Sequence, residues 1–122
     1  MWTKSQIVKL FEDFLDTLER CGSHLLQECD EEIGYQIFEQ FDIGATSCLY
    51  EDNLIVLRQA GYIDDEMVQM SKEIRERWFA LLALEEKRPY IMAEIRTKKE
   101  WLELFELCDR LWSKLLESRG KT

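Results

Sequence analysis

The sequence predicts an all-α domain of five or six helices in a compact antiparallel bundle, and three observations predict it. Apolar residues recur at helical spacing along nearly the whole chain. No segment sustains period-two alternation, and the Asn-Gly and Asp-Gly pairs that favour hairpin turns are absent. The 122 residues include one proline and five glycines, which leaves room for long uninterrupted elements. A chain of this length buries roughly two thirds of its unfolded surface. With 46% apolar residues it supports one core despite 34% charged residues, so residues 1–122 read as a single helical domain.

The first helix opens with Thr3-x-x-Gln6, a capping box, with Trp2 and Ile7 at the two staple positions. Its core stripe is Ile7, Leu10, Phe11, Phe14, Leu15 and Leu18, and Gly22 stands where a left-handed C′ residue would end it. Ser23 is placed to cap a short turn over His24–Cys29. Asp30 then serves as N-cap for a helix with inner face Ile33, Ile37, Phe38 and Phe41, in which Gly34 weakens the helix or admits a close neighbour. Asp42-Ile43-Gly44-Ala45 breaks the pattern. Thr46 or Ser47 caps a third helix whose apolar residues Leu49, Leu54, Ile55, Val56, Leu57 and Ala60 cover more than one side, which predicts a central, deeply buried element closed by Gly61. Ile63 and Val68 flank an Asp64 N-cap. The fourth helix then carries Met67, Met70, Ile74, Trp78, Leu81 and Leu82 to about Lys87. Pro89 suits the first turn of a further helix. Its stripe (Ile91, Ile95, Leu102, Phe105, Trp112, Leu116) is interrupted at Lys98-Lys99, beside a second capping box at Thr97-x-x-Glu100, so the last segment is one long helix or two.

The net charge of −9 argues against nucleic acid or an anionic membrane as partner. No apolar run reaches the roughly 18 residues of a membrane span, and no signal-peptide core is present, so the expected location is cytoplasmic. Cys21, Cys29, Cys48 and Cys108 lack C-x-x-C spacing, which fits free thiols in a reducing compartment. The charge is lopsided. Residues 1–66 hold 15 acids and 4 bases, a net of −11, whereas residues 67–122 hold 10 acids and 12 bases, a net of +2.

Motifs for chemistry are thin. His24 is the sole histidine, so a histidine-pair metal site is excluded within one chain, and Cys21-x-x-His24 with Cys29 lacks a fourth zinc ligand. A cysteine nucleophile would have only His24 as its base. Glu103, Glu106 and Asp109 share a helix face at the spacing helical pyrophosphatases use for magnesium, with Glu73-x-x-Glu76 as the facing pair such a site requires. Gly44 and Gly61 stand outside any G-x-x-x-x-G-K spacing, so no phosphate loop is present. Trp78, Trp101 and Trp112 at helical spacing read as core. No cofactor is implied, and binding is the better reading than a reaction.

Acidic clusters at Asp30-Glu31-Glu32, Glu51-Asp52 and Asp64-Asp65-Glu66 sit at helix starts, where the helix dipole favours acids. Capping does not require so few bases around them. A dense negative surface instead speeds the approach of a basic protein and fixes its docked register. The expected binding face comprises Glu31, Glu32, Glu39, Asp42, Glu51, Asp52, Asp64 and Asp65, with Tyr35, Tyr50 and Tyr62 among them.

The run S-C-L-Y-E-D-N-L-I-V-L-R-Q-A-G-Y-I-D from Ser47 to Asp64, with the chain's size, acidity and helical pattern, resembles the small all-α immunity proteins of bacterial polymorphic toxin systems, notably contact-dependent growth inhibition. The resemblance implies a protein that binds and neutralises a basic toxin domain, often a nuclease, at the C-terminus of a secreted effector. Other readings are an acidic helical adaptor or regulator of another basic protein, and the magnesium-dependent phosphohydrolase above. A DNA-binding domain would need Lys72, Arg75, Arg77, Lys87, Arg88, Arg96, Lys98 and Lys99 on one face, and the net charge opposes it.

Overall fold

The computed structural model describes residues 2–87, 95 and 97–120, with backbone alone for 84–87 and 118–120. Among these residues every regular element is helical, and no helix is long and apolar enough to cross a membrane. The expected start at Pro89 and the apolar Ile91 lie outside the described residues.

Helix α1 (Lys4–Glu19) is capped as its sequence predicts: Thr3 Oγ1 accepts from Gln6 N at 3.1 Å, and Gln6 Oε1 accepts from Thr3 N at 2.9 Å. Gly22 does not play the expected C′ role. Arg20 closes the helix, and Gly22 is in extended backbone (φ −130°) at the head of a 3₁₀ turn, Ser23–Gln27, which has no side-chain cap from Ser23.

Three segments then run as one helix, α2: Asp30–Gly34, a π-helical stretch Tyr35–Phe41, and Asp42–Thr46, with αR dihedrals at both joints. Cys29, not Asp30, holds the cap position and makes no side-chain cap bond, so Asp30, Glu31 and Glu32 occupy the first turn. Asp42–Ala45, where the apolar pattern breaks, therefore continues the helix. The reason is the buried stripe Ile33, Ile37, Phe41 and Ala45, all fully buried at a strict spacing of four. In a regular α-helix residues four apart drift by about 40° per step; the wider π turns offset that drift and keep the stripe on the core.

Helix α3 (Glu51–Gln59) starts after Tyr50, so neither Thr46 nor Ser47 caps it; their hydroxyls donate to the Ile43 carbonyl instead. It is also an outer helix, contrary to the expected central position. Only Leu54 and Leu57 are buried, while Ile55 faces solvent. It ends in a Schellman motif: Gly61 has φ +86°, Tyr62 N donates to Leu57 O, and Gly61 N donates to Arg58 O.

Helix α4 (Asp65–Lys87) begins at the predicted cap, where Asp64 Oδ1 accepts from Met67 N at 2.8 Å between the buried Ile63 and Val68. Helix α5 (Lys99–Gly120) follows a break at Lys98, whose carbonyl accepts from Trp101 N and Leu102 N; Thr97 thus stands one residue before the cap position.

Helices α4 and α5 form the most extensive helix pair, and α1 packs on α3 and α5. An aromatic cluster fills the junction of α2, α4 and α5: Phe41 packs edge-on to Trp78 at 5.1 Å, Trp78 to Trp101 at 6.1 Å, and Trp101 lies 6.2 Å from Phe105. Four large aromatic side chains removed from water contribute on the order of 2 kcal/mol each, which makes this junction the anchor of the bundle.

Candidate functional site

With Ile33, Ile37, Phe41 and Ala45 turned inward, α2 presents Glu31, Tyr35, Glu39 and Ile43 on the opposite side, all exposed. Ile43 is 64% accessible and Tyr35 is 45%. The Tyr35 hydroxyl is held by Gln40 Nε2 at 2.9 Å. Glu31 and Glu39 meet no cation among the described residues. On the flanks of this stripe, Glu32 accepts from Gln36 Nε2 at 2.6 Å and Asp42 accepts from Trp78 Nε1 at 3.4 Å, so these two carboxylates have internal partners.

The other predicted residues lie along the α3–α4 hairpin, and most of them hold it together. Glu51 pairs with Lys72 at 3.1 Å, and Asp65 pairs with Arg58, whose guanidinium is pushed further toward the charged form by that hydrogen bond. Asp64 caps α4, and Glu66 reaches Lys114 of α5 at 3.0 Å. The Asp64-Asp65-Glu66 cluster is thus satisfied from within the fold. Asp52 has no cationic partner among the described residues. Tyr62 is half-buried and stacks on Phe11 with ring centroids 4.6 Å apart, whereas Tyr50 is 46% exposed.

Tyr50 belongs to a cluster that sequence reading missed. The Arg75 guanidinium lies 5.6 Å from the Tyr50 ring centroid and 4.8 Å from that of Phe79, and its Nε donates to the Ala45 carbonyl at 3.3 Å. The i,i+4 spacing of Arg75 and Phe79 was the available signal; their meeting with Tyr50 depends on tertiary packing. Tyr50, Arg75 and Phe79 thus form an apolar and cationic patch beside the C-terminal end of α2.

Arg77 stands between Glu73 and Glu103, 3.0 Å from each, and these two carboxylates raise its affinity for its proton. A guanidinium therefore occupies the space where the phosphohydrolase reading needs two facing carboxylates. Asp109 points elsewhere, accepting from Ser23 N at 3.3 Å with both oxygens. Among the described residues, no three His, Cys, Asp or Glu side chains are grouped as a metal would require. Cys21, Cys48 and Cys108 are buried and Cys29 is exposed, all as free thiols. Burial, followed by contact with Cys108, pushes the Cys21 thiol well above its ordinary pKa, so Cys21 is held as a thiol and is no nucleophile.

A cleft of about 530 Å³ opens between the end of α1, the 3₁₀ turn, α2 and α5. Leu18 and Leu25 are buried in its floor, Trp112 is half-buried at its wall, and Glu19, Glu28, Glu32 and Asp109 line it with Arg20 and His24.

No family model, curated protein or solved structure matches this chain.

Proposed function

We propose that this chain binds and neutralises a basic protein domain, in the manner of the immunity proteins that its Ser47–Asp64 run resembles, and that the outer face of α2 is the principal contact. One observation carries the reading. Glu31, Tyr35, Glu39 and Ile43 occupy about 18 Å of helix as carboxylates that meet no cation among the described residues, interleaved with two large exposed apolar side chains. Solubility needs no tyrosine or isoleucine there, and a capping role accounts for only the first of the acids.

The two residue classes divide the work of docking. Exposed carboxylates on a net −9 molecule raise the approach rate of a cationic partner by long-range attraction. Tyr35 and Ile43 supply the apolar anchors that slow dissociation once water is excluded. Because the π-helical stretch is fixed by the buried Ile37 and Phe41, the stripe is held rigid before the partner arrives. The partner class is a basic protein domain; an expected source is the C-terminal toxin domain of a secreted effector, and the expected site of action is cytoplasmic.

The test is co-expression. The C-terminal domain encoded by the reading frame upstream is expressed alone and with this chain, and growth is followed. The expected result is arrest by the domain alone and rescue by the pair, with Glu31→Lys/Glu39→Lys failing to rescue. A domain that is not toxic, or rescue undiminished by the double reversal, would sink the proposal.

A further inference from the structure

The cleft beside Trp112 has the make-up of a receptor for an organic cation. Asp109 and Trp112 are one turn apart on α5, so carboxylate and indole face the same opening. Asp109 is held from behind by the Ser23 backbone N–H, which donates to both of its oxygens at 3.3 Å. Gly22 permits that convergence: a Cβ there would lie 2.8 Å from Asp109 Oδ1 and 2.9 Å from His24 Nδ1. Arg20 is turned away to Gln36, donating to its Oε1 at 2.9 Å, and lies 3.5 Å from Asp16. The acids Glu19, Glu28, Glu32 and Asp109 outnumber Arg20 in the described lining, with His24 and Gln36 beside them over an apolar floor of Leu18 and Leu25.

We infer that this cleft binds a guanidinium or primary ammonium group, with the cation lying against the Trp112 ring and hydrogen-bonded to Asp109. The ring face attracts a cation most strongly when water is partly excluded, and Trp is the best of the aromatic faces for it. A planar guanidinium also matches a carboxylate through two parallel N–H bonds. The group is carried either by an arginine of a polypeptide or by a free small amine. Glu32 and Gln36 lie one residue round the helix from Glu31 and Tyr35, so a polypeptide seated on that stripe brings its side chains to the cleft mouth.

The full chain, ¹⁵N-labelled, is titrated with N-acetyl-arginine N-methylamide, with agmatine, and with N-acetyl-glutamine N-methylamide as the uncharged control. Saturable shifts at the Trp112 indole N–H and the Ser23 amide are expected with the cations and not with the control. Tighter binding of the capped arginine assigns the cleft to a polypeptide side chain; tighter binding of agmatine assigns it to a small amine. Asp109→Asn keeps an oxygen for Ser23 N–H and so keeps the fold, and it weakens the cations by about tenfold, one charge-assisted contact. Equal shifts from the control, no saturable shift, or unchanged affinity in Asp109→Asn overturn the inference. The growth-rescue experiment is independent of these outcomes, so failure of the cleft and failure of the neutralising function are told apart.

Discussion

Gly44 and Thr17 set how closely α2 crosses α1. A Cβ built on Gly44 would stand 2.0 Å from Thr17 Oγ1 and 2.3 Å from its Cγ2, and Thr17, itself buried, is locked by a 2.8 Å hydrogen bond to the Asp13 carbonyl. No rotamer change clears a contact that also reaches the Thr17 Cβ at 2.6 Å. Gly44→Ala is therefore expected to cost about 1–3 kcal/mol by overpacking. Gly34→Ala is the matched control: the position has φ −59° and nothing within 4 Å of an added Cβ, so it gains about 0.5–1 kcal/mol of helix propensity. Urea denaturation of the two variants reads opposite signs if the close crossing is as described.

The α3–α4 turn rests on two local devices. Asp64→Ala removes the acceptor for Met67 N and is expected to cost about 1 kcal/mol. Gly61→Ala forces a side chain into φ +86° and is expected to cost about 1–2 kcal/mol, with Gly61→Asn milder because Asn tolerates that region. Chemical denaturation checks both, and far-ultraviolet circular dichroism should show the helix content retained.

Local signals in the sequence were read where a single residue type does a single job. Thr3, Asp64, Gly61 and the α4 stripe all stand as their chemistry predicts. What local pattern misjudged was the weight of tertiary packing. Gly44 looked like a helix breaker because its role, admitting Thr17, belongs to a different helix. The apolar crowding of α3 suggested a centre, yet Ile55 is left outside. Charge pairing was least legible. Glu51–Lys72 and Arg58–Asp65 are seven residues apart on both α3 and α4, and Glu66–Lys114 and Arg77–Glu103 are eleven apart on both α4 and α5. Each set runs in opposite directions on its two helices, marking two antiparallel hairpins in register. Acids that read as one docking face are in part these register pins, which leaves the α2 stripe and Asp52 without a cationic partner among the described residues.

The buried thiols give the fold a pH dependence at its alkaline side. Burial and the neighbouring Cys108 raise Cys21, and burial raises Cys48 against hydrogen bonds from Ser47 and Thr17 that lower it. Because these folded-state values lie above those of the unfolded chain, the stabilisation is complete below the unfolded thiol pKa of about 8.5 and is lost as pH rises beyond it. The expected loss approaches about 1.4 kcal/mol per pH unit for each such thiol while it stays protonated in the fold. Denaturation midpoints from pH 7 to 10 test this, and Cys21→Ala should flatten the slope. In native conditions one thiol, Cys29, should react rapidly with a disulfide reagent, the other three only as fast as the chain opens.

Reversing charge separates residues that dock from residues that hold the hairpin. Glu31→Lys/Glu39→Lys changes two exposed carboxylates that meet no cation among the described residues, so the thermal midpoint should fall only by the loss of the Glu31 interaction with the α2 dipole, about 1 kcal/mol or less. Association with a basic partner domain should slow by about tenfold or more at low salt and lose most of its salt dependence, since exposed charges act through a screened field. Glu51→Lys places a like charge against Lys72 and disturbs the α3–α4 seam first; its exposed pair is worth at most about 1 kcal/mol, so a small drop in midpoint should accompany a smaller change in association. Stopped-flow association at two salt concentrations, with melting curves for each variant, distinguishes the two. Unchanged rates in the α2 double reversal would move the docking face off that helix, and an equal effect from Glu51→Lys would mean that the partner senses total charge and not the Glu31–Glu39 stripe.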